Sequence, residues 1–292
     1  MISPLVKNPL LPRYPLKPYI RSEKRENNAM TIAIGFRCVD GIVLCADTQI
    51  TSRAVGMKYS EDKIHTIANL GETNWIVGIT YSGDVGILKS FHEKLSNTLL
   101  PKRNDIALQD VREAIQSALF EVHNNSADIN TEYIDVICGV SIGGKKPESA
   151  MYVCRRTTVH EERDIAFAGV GDSSLSKFLL DVLPVRGRGI ETGLALLLST
   201  YIVGRAKEFV DGCGGNTQSL IIRDGGESNL LSGDGPLFRS DKPELLAESI
   251  NKCVRSLLEV LLVPYVEASY LHKSIDKLKK EINEFYGFET FG

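Results

Sequence analysis

The feature that most constrains the fold is an apolar run, Gly41–Ala46, that ends directly in a carboxylate, Asp47. A short polar turn joins it to an earlier run, Thr31–Phe36, and the two runs predict neighbouring strands of a buried sheet. Strand alternation puts Asp47 on the same face as Val43 and Cys45. A carboxylate abutting a buried strand is costly unless it is paired or hydrogen-bonded, so the sequence predicts a partner for it.

Lys63 is the predicted partner, because the string DKIHTI begins the next apolar strand and places a lysine at its entrance. A purely structural ion pair between Asp47 and Lys63 explains the same residues. Composition alone favours that structural interpretation, and a catalytic role needs further evidence.

The remainder of the chain alternates between strand-like and helix-like blocks. Their order is strands, two helices, strands, two helices and strands, which is typical of a two-sheet sandwich flanked by helices. The predicted strands are Thr31–Phe36, Gly41–Ala46, Lys63–Ala68, Trp75–Thr80, Ile134–Ile142, Ala150–Cys154, Ile165–Ala168, Ser219–Arg223 and one near Leu230. The predicted helices are one with apolar positions from Val85 to Leu95, one from Val111 to Val122 capped by Asn104 or Asp105, and three over 173–182, 191–209 and 244–285.

Residues 1–30 differ from the rest, since they hold five of the 11 prolines and an excess of basic side chains. The prolines exclude a long helix, and no compact apolar segment of a secretory signal is present. We interpret this stretch as a disordered leader, a pro-segment or translated sequence upstream of a true start at Met30. Residues 31–240 are predicted to form the folded domain, and 241–292 a helical C-terminal extension.

Charge and cysteine content exclude several classes of protein. The formal net charge of −3 offers no field for nucleic acid, and no apolar stretch approaches the 18 residues of a membrane span. The six cysteines show no CxxC pair and no metal-ligand spacing, which predicts reduced thiols in a cytoplasmic protein. The five histidines do not cluster, and the sequence predicts neither a metal nor a cofactor.

The stretch TIAIGFRCVDGIVLCADTQ, followed by KIHTI and GITYSGDVG, resembles the β-type subunits of proteasomes and their bacterial relatives. These proteins are N-terminal-nucleophile (Ntn) hydrolases with a four-layer αββα sandwich, an α+β fold. The resemblance is good over 31–95 and weakens to block order over 134–223. Aligned on VDGIVLCAD, the family's nucleophilic threonine, its aspartate and its lysine fall on Thr31, Asp47 and Lys63.

The resemblance also implies further site residues. The loop VDGCGG is similar to a family loop and places Asp211 and Cys213 near the threonine, although a plain glycine-rich turn explains the motif equally well. Backbone N–H groups near Thr80 and Tyr81 occupy the family's oxyanion position, where a glycine is usual instead of Thr80. An independent nucleophilic role for Cys213 is disfavoured, because no histidine lies in its motif.

The chemistry requires these residue types. A threonine hydroxyl is a weak nucleophile until a base takes its proton, and the α-amine of an N-terminal threonine, with a pKa of roughly 8, is such a base. A lysine ammonium nearby would lower the pKa of that amine, and an aspartate would hold the lysine charged and aimed. The amine exists only if Met30 has been removed. Methionine aminopeptidases remove methionine before threonine, whereas self-processing family members usually carry glycine there.

The resemblance therefore predicts a threonine-type amide hydrolase, an endopeptidase subunit acting on peptides or unfolded proteins. A homo-oligomeric ring and an ATP-dependent unfoldase are the implied partners. Two alternatives stay open: a catalytically inactive structural subunit and a small-molecule amidase or acylase. The first is favoured by Val170, which stands where the family has a serine that supports the amine, unless Ser173 or Ser174 replaces it. The C-terminal apolar stripe from Leu271 to Phe285 fits either a helix packed on its own domain or a subunit contact.

Overall fold

The computed structural model describes residues 31–51, 58–69, 74–102, 106–125, 134–144, 146–169, 189–210 and 212–225. Predictions for the leader, the 173–182 helix, the strand near Leu230, the C-terminal helices and the Asn104 or Asp105 cap lie outside these residues. The described strands are β1 (Ile32–Arg37), β2 (Gly41–Asp47), β3 (Gln49–Thr51), β4 (Lys58–Ser60), β5 (Ile64–Asn69), β6 (Trp75–Gly83), β7 (Ile134–Ile142), β8 (Glu148–Arg155), β9 (Thr158–Glu162), β10 (Ile165–Gly169) and β11 (Thr217–Arg223). The described helices are α1 (Val85–Leu99), α2 (Leu108–Asn125) and α3 (Thr192–Phe209).

Two antiparallel sheets form the centre of the described part of the chain. The first sheet has the order β10-β1-β2-β11, and the second has the order β5-β6-β7-β8-β9. Strands β3 and β4 pair separately as a small two-stranded ribbon. β2 lies between β1 and β11 and is buried along its whole length, which explains why its sequence is a continuous apolar run.

The buried apolar residues that the structure describes form three hydrophobic clusters. Alternate residues of β1 and β2, including Ile34 and Val43, pack against α3. The residues between them, including Ala33 and Leu44, lie between the two sheets. The outer face of the second sheet packs against α1 and α2 through residues such as Phe91. The order of layers is therefore helix, sheet, sheet and helix, as the sequence predicted.

Helix α1 begins where the sequence offers a side-chain cap. The Asp84 carboxylate accepts a hydrogen bond of 2.9 Å from the N–H of Ile87, which satisfies a donor that the first helical turn leaves open. The cap directly follows Gly83, the last residue of β6, which has a φ of +122° that favours glycine. The chain thus turns from β6 into α1 within two residues and fixes the end of β6 beside the site described next.

Candidate active site

Strand ends from both sheets converge at one corner of the sandwich. β1 begins one residue after Thr31, and β2 ends at Asp47. The first residue of β11, Thr217, is paired with Asp47 across the ladder. Lys63 directly precedes β5, so it reaches the corner from the second sheet. The structure brings Thr31, Asp47 and Lys63 together at this corner.

Asp47 is the centre of the arrangement and exposes none of its surface. Its Oδ1 accepts hydrogen bonds from the Thr31 hydroxyl at 2.6 Å, from the N–H of Ile32 at 3.2 Å and from Lys63 Nζ at 2.6 Å. Its Oδ2 accepts a fourth from the N–H of Gly214 at 3.0 Å. Asp47 therefore has an ion-pair partner and three further hydrogen-bond donors. These contacts offset the free-energy cost of burying its charge, as the sequence analysis required.

Lys63 is equally buried, and its ammonium has three acceptors. Nζ donates to Asp47 Oδ1 at 2.6 Å, to the carbonyl oxygen of Gln49 at 2.6 Å and to the hydroxyl of Thr31. Its backbone N–H donates to the side chain of Gln218 at 2.7 Å, which holds the residue at the mouth of β5. Burial lowers the pKa of Lys63 below its ordinary value, and the charge and hydrogen bond of Asp47 oppose that shift.

Thr31 is 5% exposed and is hydrogen-bonded on both sides of its hydroxyl. Oγ1 donates its proton to Asp47 and accepts from Lys63 Nζ. An ammonium that donates to a hydroxyl oxygen stabilises negative charge on that oxygen, so it favours loss of the hydroxyl proton. The arrangement therefore suits an oxygen nucleophile whose proton a nearby base removes.

The glycine-rich loop at 212–216 is attached to the end of β2 by main-chain contacts. The N–H of Thr48 donates to the carbonyl of Asn216 at 2.9 Å, and the N–H of Gln49 donates to the carbonyl of Gly214 at 3.1 Å. Gly215 has a φ of +69°, a conformation that glycine adopts without strain. These contacts bring the Gly214 N–H onto Asp47.

Of the two residues predicted in this loop, Cys213 is described and Asp211 lies outside the described residues. The Cys213 thiol is buried beside the site, and burial together with the charge of Asp47 raises its pKa to about 12. A thiol that stays protonated near neutral pH is a poor nucleophile.

Thr80 and Tyr81, the predicted oxyanion residues, lie inside β6 and are buried. Thr80 forms the last pair of the β5–β6 ladder, with Ile64, and is also paired with Ile137 of β7. The β5–β6 ladder thus ends next to Lys63. Tyr81, the next residue of β6, is paired with β7. The oxyanion role of their N–H groups stays a prediction.

Sequence reasoning missed two main-chain groups that contact the charged pair. The Gln49 carbonyl accepts a hydrogen bond from Lys63, and the Gly214 N–H donates one to Asp47. Both are main-chain groups, so no reactive side chain marks them in the sequence. The two glycines at 214 and 215 were the available signal, because close approach of two backbones requires residues without a side chain. Within the described residues, no group of three or more His, Cys, Asp or Glu side chains is placed to hold a metal ion.

Comparisons with known proteins bear on the fold of the chain. No family model matches the chain, and no curated protein matches it at a significant level. Solved structures do match. Anbu, described as an ancestral beta-subunit, from Yersinia bercovieri has a TM-score of 0.65 at 13% sequence identity and covers 81% of this chain and 99% of its own.

Two further structures agree with that one. Anbu from Hyphomicrobium sp. strain MC1 has a TM-score of 0.61 at 15% identity and covers 82% of this chain and 100% of its own. The Anbu complex from Pseudomonas aeruginosa, described as a helical assembly, has a TM-score of 0.61 at 16% identity with coverage of 82% and 100%. At these identities the likeness concerns the fold. The chain shares the four-layer fold of the Anbu structures, and the predicted αββα fold class is confirmed.

Among the described helices, none has the length and apolar character that a membrane span requires.

Proposed function

We propose that this chain is a threonine-type amide hydrolase that cleaves peptides with Thr31 as its nucleophile. The observation that carries the proposal is the buried contact of the Thr31 hydroxyl with both Asp47 and Lys63. A structural ion pair alone would leave the threonine uninvolved. Here the carboxylate and the ammonium both meet at its Oγ1, on the fold in which an N-terminal threonine is the reacting group.

The active form in this proposal begins at Thr31, after removal of the residues before it. The freed α-amine then takes the proton of Oγ1 as the oxygen attacks the carbonyl carbon of an amide. A new C–O bond forms and a tetrahedral oxyanion develops, for which N–H groups near Thr80 and Tyr81 are the proposed donors. The intermediate collapses as the C–N bond breaks, and the ammonium of Thr31 returns its proton to the leaving amine.

Deacylation repeats the sequence with water. The α-amine takes a proton from water, the hydroxide attacks the ester carbonyl, and the Thr31 oxygen leaves and is reprotonated. Lys63 stabilises negative charge on Oγ1 in both steps, and Asp47 keeps Lys63 charged in a place where burial alone would favour its neutral form. Asp211, which lies outside the described residues, is proposed as a further carboxylate of the same network.

The proposed assembly is a homo-oligomer that encloses its nucleophiles, with peptide or unfolded protein as substrate and an ATP-dependent unfoldase as the partner that delivers it. Repeated head-to-tail contacts close into a ring or continue as a helix according to the rotation between subunits. The Anbu complex of Pseudomonas aeruginosa, a chain of similar fold, is described as a helical assembly.

The test is to establish the N-terminus and the activity of the same sample. Intact mass and N-terminal sequencing of the native protein are expected to show Thr31 as the first residue, and fluorogenic peptides are expected to be hydrolysed. Thr31→Ala is the matched control, and it should bind the same peptides without turning them over. Native protein that begins at Thr31 and hydrolyses no peptide supports the inactive structural subunit, and full activity with residue 30 still attached would refute the proposed base.

A further inference from the structure

One buried hydroxyl near Thr31 is not used by the mechanism above. Alternate side chains of β6 face the first sheet: Ile76 belongs to the cluster between the sheets, and a Cβ on Gly78 would press on Leu220 and Ile222 of β11. Ser82 lies on this same face, at the site end of the strand. It is 2% exposed, and its Oγ has no hydrogen-bond partner among the described residues.

Gly169 shows how close that hydroxyl is to Thr31. The position that a Cβ on Gly169 would occupy lies within 2.6 Å of both Ser82 Oγ and the carbonyl oxygen of Thr31. Gly169 has a φ of +73° and ends β10, where it is paired with Ile32. The absence of a side chain at Gly169 therefore lets Ser82 Oγ and the backbone of Thr31 lie close together, with no room for a Cβ between them.

A free amine on Thr31 needs hydrogen-bond acceptors. A neutral amine keeps two N–H donors and an ammonium has three, and a donor that faces the buried corner is costly to leave without a partner. The charged neighbours are already engaged. Asp47 accepts four hydrogen bonds, and Lys63 is a donor only. Cys213 is a protonated thiol, and Lys207 donates to Thr217 at 2.7 Å.

We propose that Ser82 is a positioning residue whose Oγ accepts a hydrogen bond from the α-amine of Thr31 and so directs the amine's lone pair toward Oγ1. This proposal rests on the proposed function, because the amine exists only when Thr31 begins the chain. Thr80 also has a buried hydroxyl without a partner among the described residues, but it lies two residues before Ser82 on β6, opposite Ile64, and the atoms nearest to a Cβ on Gly169 belong to Thr31 and Ser82.

The proposed role of Ser82 predicts an effect on the pKa of the Thr31 amine, which a purely structural role of this serine would not. An acceptor for N–H stabilises the charged form of an amine, so it raises the amine's pKa. Loss of the Ser82 hydroxyl should therefore lower the pKa of the Thr31 amine by about one unit, the shift that a hydrogen bond to a charged group produces. The acid limb of the pH profile of kcat/KM should move to lower pH by the same amount, and kcat should fall about tenfold because the lone pair is no longer aimed.

The experiment measures the amine directly. A fusion of ubiquitin to Thr31, trimmed by a deubiquitinase, gives a chain that begins at Thr31 whatever happens to Met30 in the cell. Cyanate carbamylates only the neutral amine, so the rate of carbamylation against pH, followed by mass spectrometry of the N-terminal peptide, yields its pKa. Ser82→Ala should lower this pKa, and Ser82→Thr, which keeps the hydroxyl, should restore it.

Matched controls identify the cause of the shift. Ser141→Ala removes another buried serine hydroxyl of the second sheet, one that bonds the Arg223 carbonyl at 2.9 Å, and should leave the pKa unchanged. Ser82→Cys, which keeps the size of the side chain and weakens the acceptor, should give the same direction of shift if Ser82→Ala unfolds. Equal pKa values in wild type and Ser82→Ala would overturn the proposal, as would a shift produced by Ser173→Ala or Ser174→Ala instead.

The outcome is separable from that of the proposed function. A chain that shows the Ser82-dependent pKa and hydrolyses no amide would refute the hydrolase and retain Ser82 as the partner of the amine. A chain that hydrolyses peptides without any dependence on Ser82 would do the reverse.

Discussion

The ammonium of Lys63 lies 2.6 Å from the carboxylate of Asp47, and neither side chain exposes any of its surface. A pair like this is costly to bury and more costly to break, because removing one partner leaves the other charge buried alone. It therefore links the stability of this corner of the sandwich to the chemistry proposed for Thr31.

We expect Asp47→Asn to lower the free energy of unfolding by about 3–5 kcal/mol, since Lys63 then lacks its counter-charge. Urea unfolding followed by circular dichroism measures the change. The matched control is Glu121→Gln, which breaks the exposed pair that Glu121 forms with Lys94 at 2.7 Å and should cost less than about 1 kcal/mol. Similar losses from the two variants would show that burial does not determine how much the Asp47–Lys63 pair contributes to the free energy of unfolding.

The stability of Asp47→Asn should also rise with pH. Burial lowers the folded-state pKa of Lys63 below 10.5, its ordinary value, and the carboxylate that opposes this shift is gone in the variant. Between the lowered pKa and 10.5 the unfolded chain binds more protons than the folded chain, so the unfolding free energy increases as pH increases. Unfolding curves at several pH values, compared with those of the wild type, test the sign. A variant whose stability falls over this range would contradict the assigned cause.

Thr31→Ala should abolish peptide hydrolysis while leaving the unfolding midpoint close to that of the wild type. Lys63→Ala should reduce kcat nearly as far, because the charge that stabilises the attacking oxygen is lost. Thr31→Ser keeps a hydroxyl and should retain measurable turnover. Hydrolysis that survives Thr31→Ala after repurification would assign the chemistry to another residue.

Gly169→Ala should be damaging on two grounds. A side chain at a φ of +73° is strained, and its Cβ would meet the backbone oxygen of Thr31 and Ser82. We expect a loss of about 1–3 kcal/mol in the free energy of unfolding together with a fall in kcat. Gly193→Ala is the control: it lies in α3, nothing lies within 4 Å of its added Cβ, and alanine should stabilise the helix by up to about 1 kcal/mol.

Light scattering on the full-length chain should show an oligomer. A chain truncated after Pro264 lacks the predicted apolar stripe from Leu271 to Phe285, and its oligomeric state decides between the two interpretations of that stripe. An unchanged oligomer assigns the stripe to the domain's own packing, and dissociation assigns it to a subunit contact. A monomeric full-length protein would refute both the ring and the helical assembly. Electron microscopy of the oligomer distinguishes a closed ring from an open helix.

The sequence was most informative where burial on both faces leaves an uninterrupted apolar pattern. β7 has the predicted bounds, Ile134–Ile142, and β2 differs by one residue because Asp47 itself continues the ladder. The short ribbon of β3 and β4 was missed, since β4 is exposed along its length and carries no apolar alternation. β9 was missed for the same reason, because only its second residue, Val159, is buried.

The candidate site divides in a similar way. Asp47 and Lys63 were predicted as partners because charged side chains are unusual beside apolar strands, and Thr31 was added to them by the family resemblance. The Gln49 carbonyl and Gly214 N–H were not predicted, because every residue carries these groups and only the path of the backbone brings them to one place. The Ser82 hydroxyl was likewise not predicted, because its lack of a hydrogen-bond partner depends on which residue of the other sheet lies opposite β6.

Asp47 receives its hydrogen bond from Gly214 across 167 positions of sequence. During synthesis the threonine, the aspartate and the lysine emerge early, but the carboxylate is fully satisfied only after α3 has formed and the loop before β11 has reached the end of β2. Contacts of such long range form late in folding, because the intervening chain must be ordered first. A growing or truncated polypeptide therefore carries Thr31, Asp47 and Lys63 without the finished pocket, and the proposed activity requires nearly the whole sandwich.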